Sequence, residues 1–256
     1  MSTWLFDLGN TRLKCARLGA DGRPGEVHAR AHSGVDIDQA MASILPARFD
    51  RAVIAAVAGV ELTAAVLDRL TRLTRRITRV RTAARWGSLR IAYPQPERMG
   101  TDRFLALVGA SRDAGDVLVC GVGTALTLDL LDRDGVHHGG RIAPSPTLMR
   151  EALHARAPQL PMTSGAYIEF ADDTDNALAS GCTGAAIALV DRSLQQARVR
   201  LGREVGLLMH GGGAPPLMAH LCSAQLRPDL VLDGLARWAV SETGMDSDAP
   251  LQSDAC

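Results

Sequence analysis

Apolar and polar positions alternate in a way that marks out elements from the first residues. The run Trp4-Leu5-Phe6 is closed by Asp7, and a polar stretch from Gly9 to Arg12 separates it from Leu13 to Leu18. The pattern predicts a buried strand over 3–8 and a hairpin partner over 13–18 that ends at the turn signal Asp21-Gly22. The uninterrupted run Arg51 to Val57 (RAVIAAV) predicts a strand covered on both faces. Leu62, Val66, Leu70 and Leu73 recur at helical spacing, and Arg103 to Ser111 reads as a second helix. Strands follow over 117–120, 125–131 and 136–142, the last two joined by a turn at Asp134-Gly135. Helices are predicted over 147–157 and 177–200. A short strand over 205–209 leads into the loop HGGGAPP, His210 to Pro216, and 231–238 starts strand-like and becomes helical. From Thr243 the chain is rich in Asp, Ser, Pro and Gly and reads as a loose tail.

One arrangement occurs twice. LFDLGNTRLKCARLGADG holds a strand, Gly9, a polar loop, a second strand and an Asp-Gly turn. VCGVGTALTLDLLDRDG holds a strand, Gly123, a polar loop, a second strand and an Asp-Gly turn. A long period seen twice suggests a duplicated domain with one hairpin loop in each copy. The expected division is 1–112, 113–242 and a tail over 243–256. Strand–glycine–strand hairpins also recur by chance in α/β chains, so the echo alone leaves both explanations open.

Composition narrows the function classes. In 256 residues there are 28 basic and 28 acidic side chains, so no global charge draws the chain to nucleic acid or to an acidic membrane. The arginines between Thr71 and Arg81 are either a local basic patch or a solvated helix end. The cysteines, Cys15, Cys120, Cys182, Cys222 and Cys256, are scattered, with no CxxC pair. This argues against a disulfide framework or a zinc site and for a reducing compartment. No signal-peptide pattern and no apolar stretch of ~20 residues occurs, so a cytoplasmic protein is expected.

Two loops carry candidate chemistry. Phosphate binding needs backbone N–H groups that a ligand can approach closely, and glycine allows it. Gly9-Asn10-Thr11 and Gly123-Thr124-Ala125 both fit, with hydroxyls from Thr11 and Thr124 as further donors. Lys14 can place a point charge beside a phosphoryl group. Asp7, at the end of the first strand, can hold Mg²⁺ through its water shell. Each loop could equally be a plain hairpin turn. GVGTAL has Leu126 where a dinucleotide fingerprint needs its third glycine, and it runs into a strand. HGGGAPP lacks the GxSxG elbow that an esterase would pair with it. Its glycines suit either close approach to a flat ligand such as adenine or a turn before a helix near Pro215. In YPQPERMGTDRFLALVGA, Asp102 is either a helix N-cap or a general base, fixed at a helix start beside Arg103.

Taken in order, these motifs resemble the type III pantothenate kinases, from Leu5 to about Ala239. DxGNTxxK is matched by Asp7, Gly9, Asn10, Thr11 and Lys14. GxDR is matched by Gly100, Asp102 and Arg103, with Tyr93 ahead of it. GTAxTxD is matched by Gly123, Thr124, Ala125, Thr127 and Asp129, and GGxIxP by Gly139, Gly140, Ile142 and Pro144. Leu160-Pro161 echoes a further family pair. The resemblance implies an α/β fold of duplicated actin-like (ribonuclease H-like) domains, with mixed sheets flanked by helices. It implies ATP-dependent phosphorylation of pantothenate, the first step toward coenzyme A. ATP would contact Asp7, Leu8, Gly9, Asn10, Thr11, Arg12, Leu13, Lys14 and Thr124. Asp102 would accept the hydroxyl proton. Tyr93, Gly100, Thr101, Asp102, Arg103 and Thr174 would line the pantothenate pocket. Mg²⁺ with ATP, a monovalent cation (K⁺ or NH₄⁺) and a homodimer are also implied, with the helix from Ala177 either in the dimer interface or in the core.

Three departures from the family pattern stand out. Gly121 occupies the position of the usual Asp, which puts the monovalent cation site in doubt. Pro144-Ser145 replaces Pro-Gly. Asp172-Asp173-Thr174 replaces a segment with a lysine, adding negative charge. The Gly121 departure also keeps open a regulatory relative of the family with weak or no kinase activity. A kinase or phosphatase of the same superfamily acting on another small acid is a further alternative.

Overall fold

The computed structural model describes residues 1–32, 37–111 and 115–245. The expected boundary between 112 and 113, and the tail beyond 245, lie outside the described residues. Packing divides the chain into two compact units. Unit 1 comprises Met1–Arg81, Gly100–Gly109 and the chain from Val231; unit 2 comprises Thr82–Met99 and Ala110–Leu230.

Unit 1 begins with three antiparallel strands, β1 (Thr3–Leu8), β2 (Arg12–Leu18) and β3 (Pro24–Ala31). Helix α1 (Ile37–Ala42) leads to β4 (Arg51–Ala56), which lies parallel to β1, and α2 (Val60–Leu73) leads to β5 (Arg76–Arg79), parallel to β4. The sheet order is β3-β2-β1-β4-β5. Every residue of β4 is buried, as its unbroken apolar run predicts. Between the sheet and its helices, Phe6, Leu8, Ile54, Val66 and Leu70 form one apolar core. The arginine run past Thr71 is a helix end only at Arg72, in the last turn of α2. The helix stops at Leu73, and Arg76 and Arg79 are the exposed ends of the edge strand β5. Charge on an edge discourages pairing with another chain.

Unit 2 opens with the short ribbon β6 (Arg85–Trp86) and β7 (Leu89–Arg90). Helix α3 (Thr101–Ala110) belongs to unit 1, except for its last residue. Unit 2 resumes with the antiparallel strands β8 (Val117–Val122), β9 (Ala125–Leu131) and β10 (His137–Pro144). After α4 (Pro146–Arg156) and the long α5 (Thr174–Leu201) comes β11 (Gly206–His210), parallel to β8. Then α6 (Ala214–Met218) leads to β12 (Ala224–Leu226), parallel to β11. The order, β10-β9-β8-β11-β12, repeats that of unit 1 strand for strand. The echo of the two hairpins is therefore part of a complete repeat of topology, with mixed sheets flanked by helices. Helix α7 (Leu230–Met245) closes the described chain and lies almost wholly in unit 1. Residues 231–238 are helical throughout, so the strand-like start expected there is corrected. Their apolar run is buried on several sides by helix packing, which periodicity alone does not separate from a strand.

Asp116, just before β8, is buried and bound by two guanidiniums. Arg203 Nε lies 2.5 Å and Arg133 Nη2 2.7 Å from its Oδ2. The Arg203 hydrogen bond, followed by those of Arg133, holds the Asp116 carboxyl well below the usual carboxylate range. Among the described residues, no helix is long and apolar enough to cross a membrane.

Candidate functional site

Each sheet presents a hairpin loop at the carboxyl ends of its parallel strands, where ligands of α/β sheets bind. In unit 1 the loop joins β1 to β2. Asp7 pairs with Lys14 and Leu8 with Leu13 across the hairpin. The Gly9 N–H donates to the Arg12 carbonyl at 3.0 Å and closes the turn. Asn10, Thr11 and Arg12 are exposed, and Asp7, Gly9 and Lys14 half-buried. The turn is also tied from the side. His32, at the end of β3, places Nε2 2.9 Å from the Gly9 carbonyl, and its own N–H donates to the Thr11 carbonyl at 3.3 Å. No motif flagged His32; only the pairing of β3 with β2 brings it here.

The loop of unit 2 repeats the turn, with the Gly123 N–H donating to the Ala125 carbonyl at 2.9 Å. The Ser145 N–H approaches the Thr124 carbonyl at 3.4 Å. Ser145 is the N-cap of α4, its hydroxyl accepting from Leu148 N–H. The departure from Pro-Gly thus supplies a helix cap.

Neither loop glycine is demanded by the fold. A methyl group added at Gly123 would meet nothing within 4 Å, and one at Gly9 would meet only the Arg12 carbonyl, at 3.5 Å. Neither has a positive φ. The glycines of HGGGAPP differ. Gly211 has φ +91°, and a methyl there would lie 2.8 Å from the Val122 carbonyl carbon. The Gly213 N–H donates to the Val122 carbonyl at 3.0 Å. These two let the loop after β11 press onto the end of β8, beside Gly123 and Thr124. The helix expected near Pro215 is α6, from Ala214.

Gly100 to Arg103 form the first turn of α3. The N-cap position falls to Gly100, whose carbonyl accepts from Phe104 N–H at 3.1 Å. Asp102 is therefore inside the helix, and the N-cap alternative is corrected. Its Oδ1 accepts from Arg103 N–H at 2.9 Å and would lie 2.5 Å from a methyl on Gly100. The missing side chain at Gly100 thus leaves room for the carboxylate. Asp102 is half-buried and Arg103 only 5% exposed.

Tyr93 lies in unit 2, its ring stacked at 6.0 Å and 23° on that of His137. His137 is buried. Its Nδ1 faces Ala92 N–H at 3.4 Å and its Nε2 faces Asp129 Oδ1 at 3.0 Å. With Ala92 N–H donating to Nδ1, the ring proton sits on Nε2 and is donated to Asp129. Asp129 of the GTAxTxD motif therefore fixes the ring against which Tyr93 packs. His137 also went unmarked in the sequence, since it pairs with Asp129 only once β9 and β10 are adjacent. Thr174 opens α5 and is exposed; Asp173 before it caps that helix, Oδ1 accepting from Asn176 N–H at 2.9 Å. The extra acid of that segment is thus a cap.

Asp7, half-buried beside an open turn, offers the oxygen ligand that Mg²⁺ prefers. A monovalent cation fits poorly at Gly121, where a Cβ would lie 2.7 Å from Thr127 Oγ1 and 2.8 Å from His210 Nε2. Among the described residues no group of three or more His, Cys, Asp or Glu could hold a metal ion.

A family model described as type III pantothenate kinase matches residues 4–196. A protein of that name from Stenotrophomonas maltophilia is 57% identical over 242 residues, covering 94% of this chain and 99% of the relative. One from Xanthomonas campestris is 60% identical over 239 residues, covering 93% and 98%. Among solved structures, a protein of Campylobacter jejuni described as a Baf family transcriptional activator superposes with TM-score 0.61 at 17% identity, covering 94% and 99%. The MreB5 protein of Spiroplasma citri bound to ADP superposes with TM-score 0.53 at 9% identity, covering 97% and 99%. These two likenesses carry the fold alone.

Proposed function

This chain belongs to the type III pantothenate kinase family, and from that premise we propose how its residues carry the reaction. The enzyme is a phosphotransferase that phosphorylates pantothenate, in coenzyme A biosynthesis. In unit 1, Asp7 to Lys14 would hold phosphates of ATP through backbone N–H groups, the Thr11 hydroxyl and the Lys14 ammonium. Asp7 would hold Mg²⁺ through water, and the ion would neutralise charge on the phosphates. Thr124 of the second loop would offer a phosphate oxygen a further hydroxyl donor. Tyr93, Gly100, Thr101, Arg103 and Thr174 would bind pantothenate.

Asp102 accepts the proton of the primary hydroxyl as its oxygen attacks the γ-phosphorus. The bond from that phosphorus to the β–γ bridging oxygen breaks, and ADP leaves. The observation that supports this reading best is the pair of loop glycines. The chain's own packing asks for no glycine at 9 or 123, and close approach of a ligand is a reason for one that packing does not supply. The reading includes a cytoplasmic location and a homodimer. Phe170, 98% exposed, and Ile168 before α5 support an apolar face for a second copy.

The direct test is ADP release with and without pantothenate. Release that depends on pantothenate is expected. Equal release in its absence, or with other small acids in its place, would sink the assignment.

The glycine argument has its own test. Gly9→Ala and Gly123→Ala should leave the unfolding midpoint unchanged or slightly raised, since a compatible Gly→Ala change stabilises by about 0.4–1 kcal/mol. ATP affinity should fall about tenfold, a loss of ~1.4 kcal/mol. Calorimetric titration beside urea unfolding reads both. Unchanged affinity in both variants would return the loops to plain turns.

A further inference from the structure

The two sheets agree strand for strand, yet at one place they have exchanged large for small. The fifth residue of β1 is Asp7, and its parallel partner on β4 is Ala55. The fifth residue of β8 is Gly121, and its parallel partner on β11 is His210. A carboxylate beside alanine in one copy is thus a glycine beside histidine in the other. On the opposite side, Asp7 pairs with Lys14 and Gly121 with Thr127.

The exchange is steric as well as chemical. A Cβ at Gly121 would lie 2.7 Å from Thr127 Oγ1, 2.8 Å from His210 Nε2 and 3.0 Å from His210 Cε1. These distances are shorter than van der Waals contact. The volume a carboxylate would need is therefore taken up by the imidazole and the hydroxyl. The groups left there suit an alkali cation badly. Such a hard ion is held by several oxygens, and an imidazole nitrogen is a softer ligand. Thr127 contributes one oxygen. Asp129, the next side chain on that face of β9, already accepts from His137.

We infer that this chain has given up a monovalent-cation site at its second loop, the ring of His210 standing where the carboxylate and its ion would be, so that turnover requires neither K⁺ nor NH₄⁺. The statement about turnover rests on the pantothenate kinase reading; the statement about the site does not.

The experiment follows that division. Pantothenate-dependent ADP release is measured at constant ionic strength in chlorides of potassium, ammonium and tetramethylammonium. Rates that agree to about twofold, under 0.5 kcal/mol, are expected. Stimulation by K⁺ of roughly tenfold or more would overturn the inference. In parallel, crystals of the unmodified protein grown with ADP and thallium(I), a heavy stand-in for potassium, are examined for anomalous scattering. No peak beside Gly121, Thr127 and His210 is expected, and a peak there overturns the inference even if the protein turns over no pantothenate. Absence of ADP release in every salt would instead count against the kinase reading, with the thallium map still deciding the site. The double variant Gly121→Asp/His210→Ala restores the carboxylate beside alanine that the first copy has. With the Thr127 hydroxyl opposite in place of a lysine, the new carboxylate should bring K⁺ dependence. A double variant that turns over and stays indifferent to K⁺ would overturn the claim that this exchange closed the site.

Discussion

Asp102→Asn should lower kcat by about 10²–10⁴ while leaving ATP affinity within about twofold of the parent. The expectation comes from how little else the change disturbs. Asparagine keeps the shape of the side chain and its Oδ1, so the bond from Arg103 N–H at 2.9 Å survives. It also keeps the fit against Gly100, where the oxygen lies 2.5 Å from the place of a Cβ. The backbone of the first turn of α3 is held separately, by the Gly100 carbonyl and Phe104 N–H. What is lost is the ability to take up a proton and the negative charge. Single-turnover kinetics with saturating ATP, beside a nucleotide titration, separate the two effects. A variant turning over within about threefold of the parent would remove Asp102 from the role of base. Unchanged kcat with a raised KM for pantothenate would make it a binding residue instead.

The second large effect concerns stability. Gly234→Ala should cost about 3 kcal/mol or more, at the upper end of overpacking. On α7, a methyl at Gly234 would lie 2.7 Å from the Leu105 carbonyl carbon and 3.0 Å from the Gly109 nitrogen, both backbone atoms of α3. A side chain can turn aside, but a helix backbone cannot, so the two helices must separate. Around that crossing Leu105, Val108, Leu235 and Ala236 are fully buried, and separation would open gaps among them. The bond that the Arg237 guanidinium donates to the Val108 carbonyl would be strained as well. The control is Gly181→Ala on α5, exposed and with nothing within 4 Å of the added methyl. There the same substitution should stabilise by roughly 0.5–1 kcal/mol, because alanine is the better helix former. Urea unfolding of both variants gives opposite signs. If Gly234→Ala unfolds at the parent's midpoint, the close crossing of α3 and α7 is wrong.

Much of this was legible in the chain because it is local. The apolar run of β4, the spacing of Leu62, Val66, Leu70 and Leu73, and the glycine hairpins each report on a few neighbouring residues. Local patterns also carried the candidate phosphate loops and the family motifs. The residues that escaped notice act across sequence distance. His32 reaches Gly9 because β3 folds back on β2. His137 meets Asp129 and Tyr93 through strand pairing. His210 faces Gly121 only because β11 lies parallel to β8. An isolated histidine has no local signature, so each was invisible until register was known. The strand-like start read at Val231 failed for a related reason, while the helix read after it is there. Its apolar residues answer to α3, far earlier in the chain. The echo of the hairpins likewise suggested two consecutive segments and held no hint of a helix that returns to the first unit.

That returning helix has a consequence for how the protein is made. Unit 1 is assembled from Met1–Arg81, Gly100–Gly109 and the chain from Val231. At 5–20 residues per second on the ribosome, roughly 6–24 s separate the synthesis of Gly109 from that of Val231. Through that interval α3 is complete but its partner helix does not exist, and the Leu105 face awaits cover. Unit 2, apart from the ribbon segment before Met99, emerges as one continuous stretch in the meantime. The later-encoded unit can therefore finish folding first. The earlier one, which carries Asp102, is completed only when α7 leaves the exit tunnel, so an interrupted chain carries the proposed base on a helix that has not been locked in place.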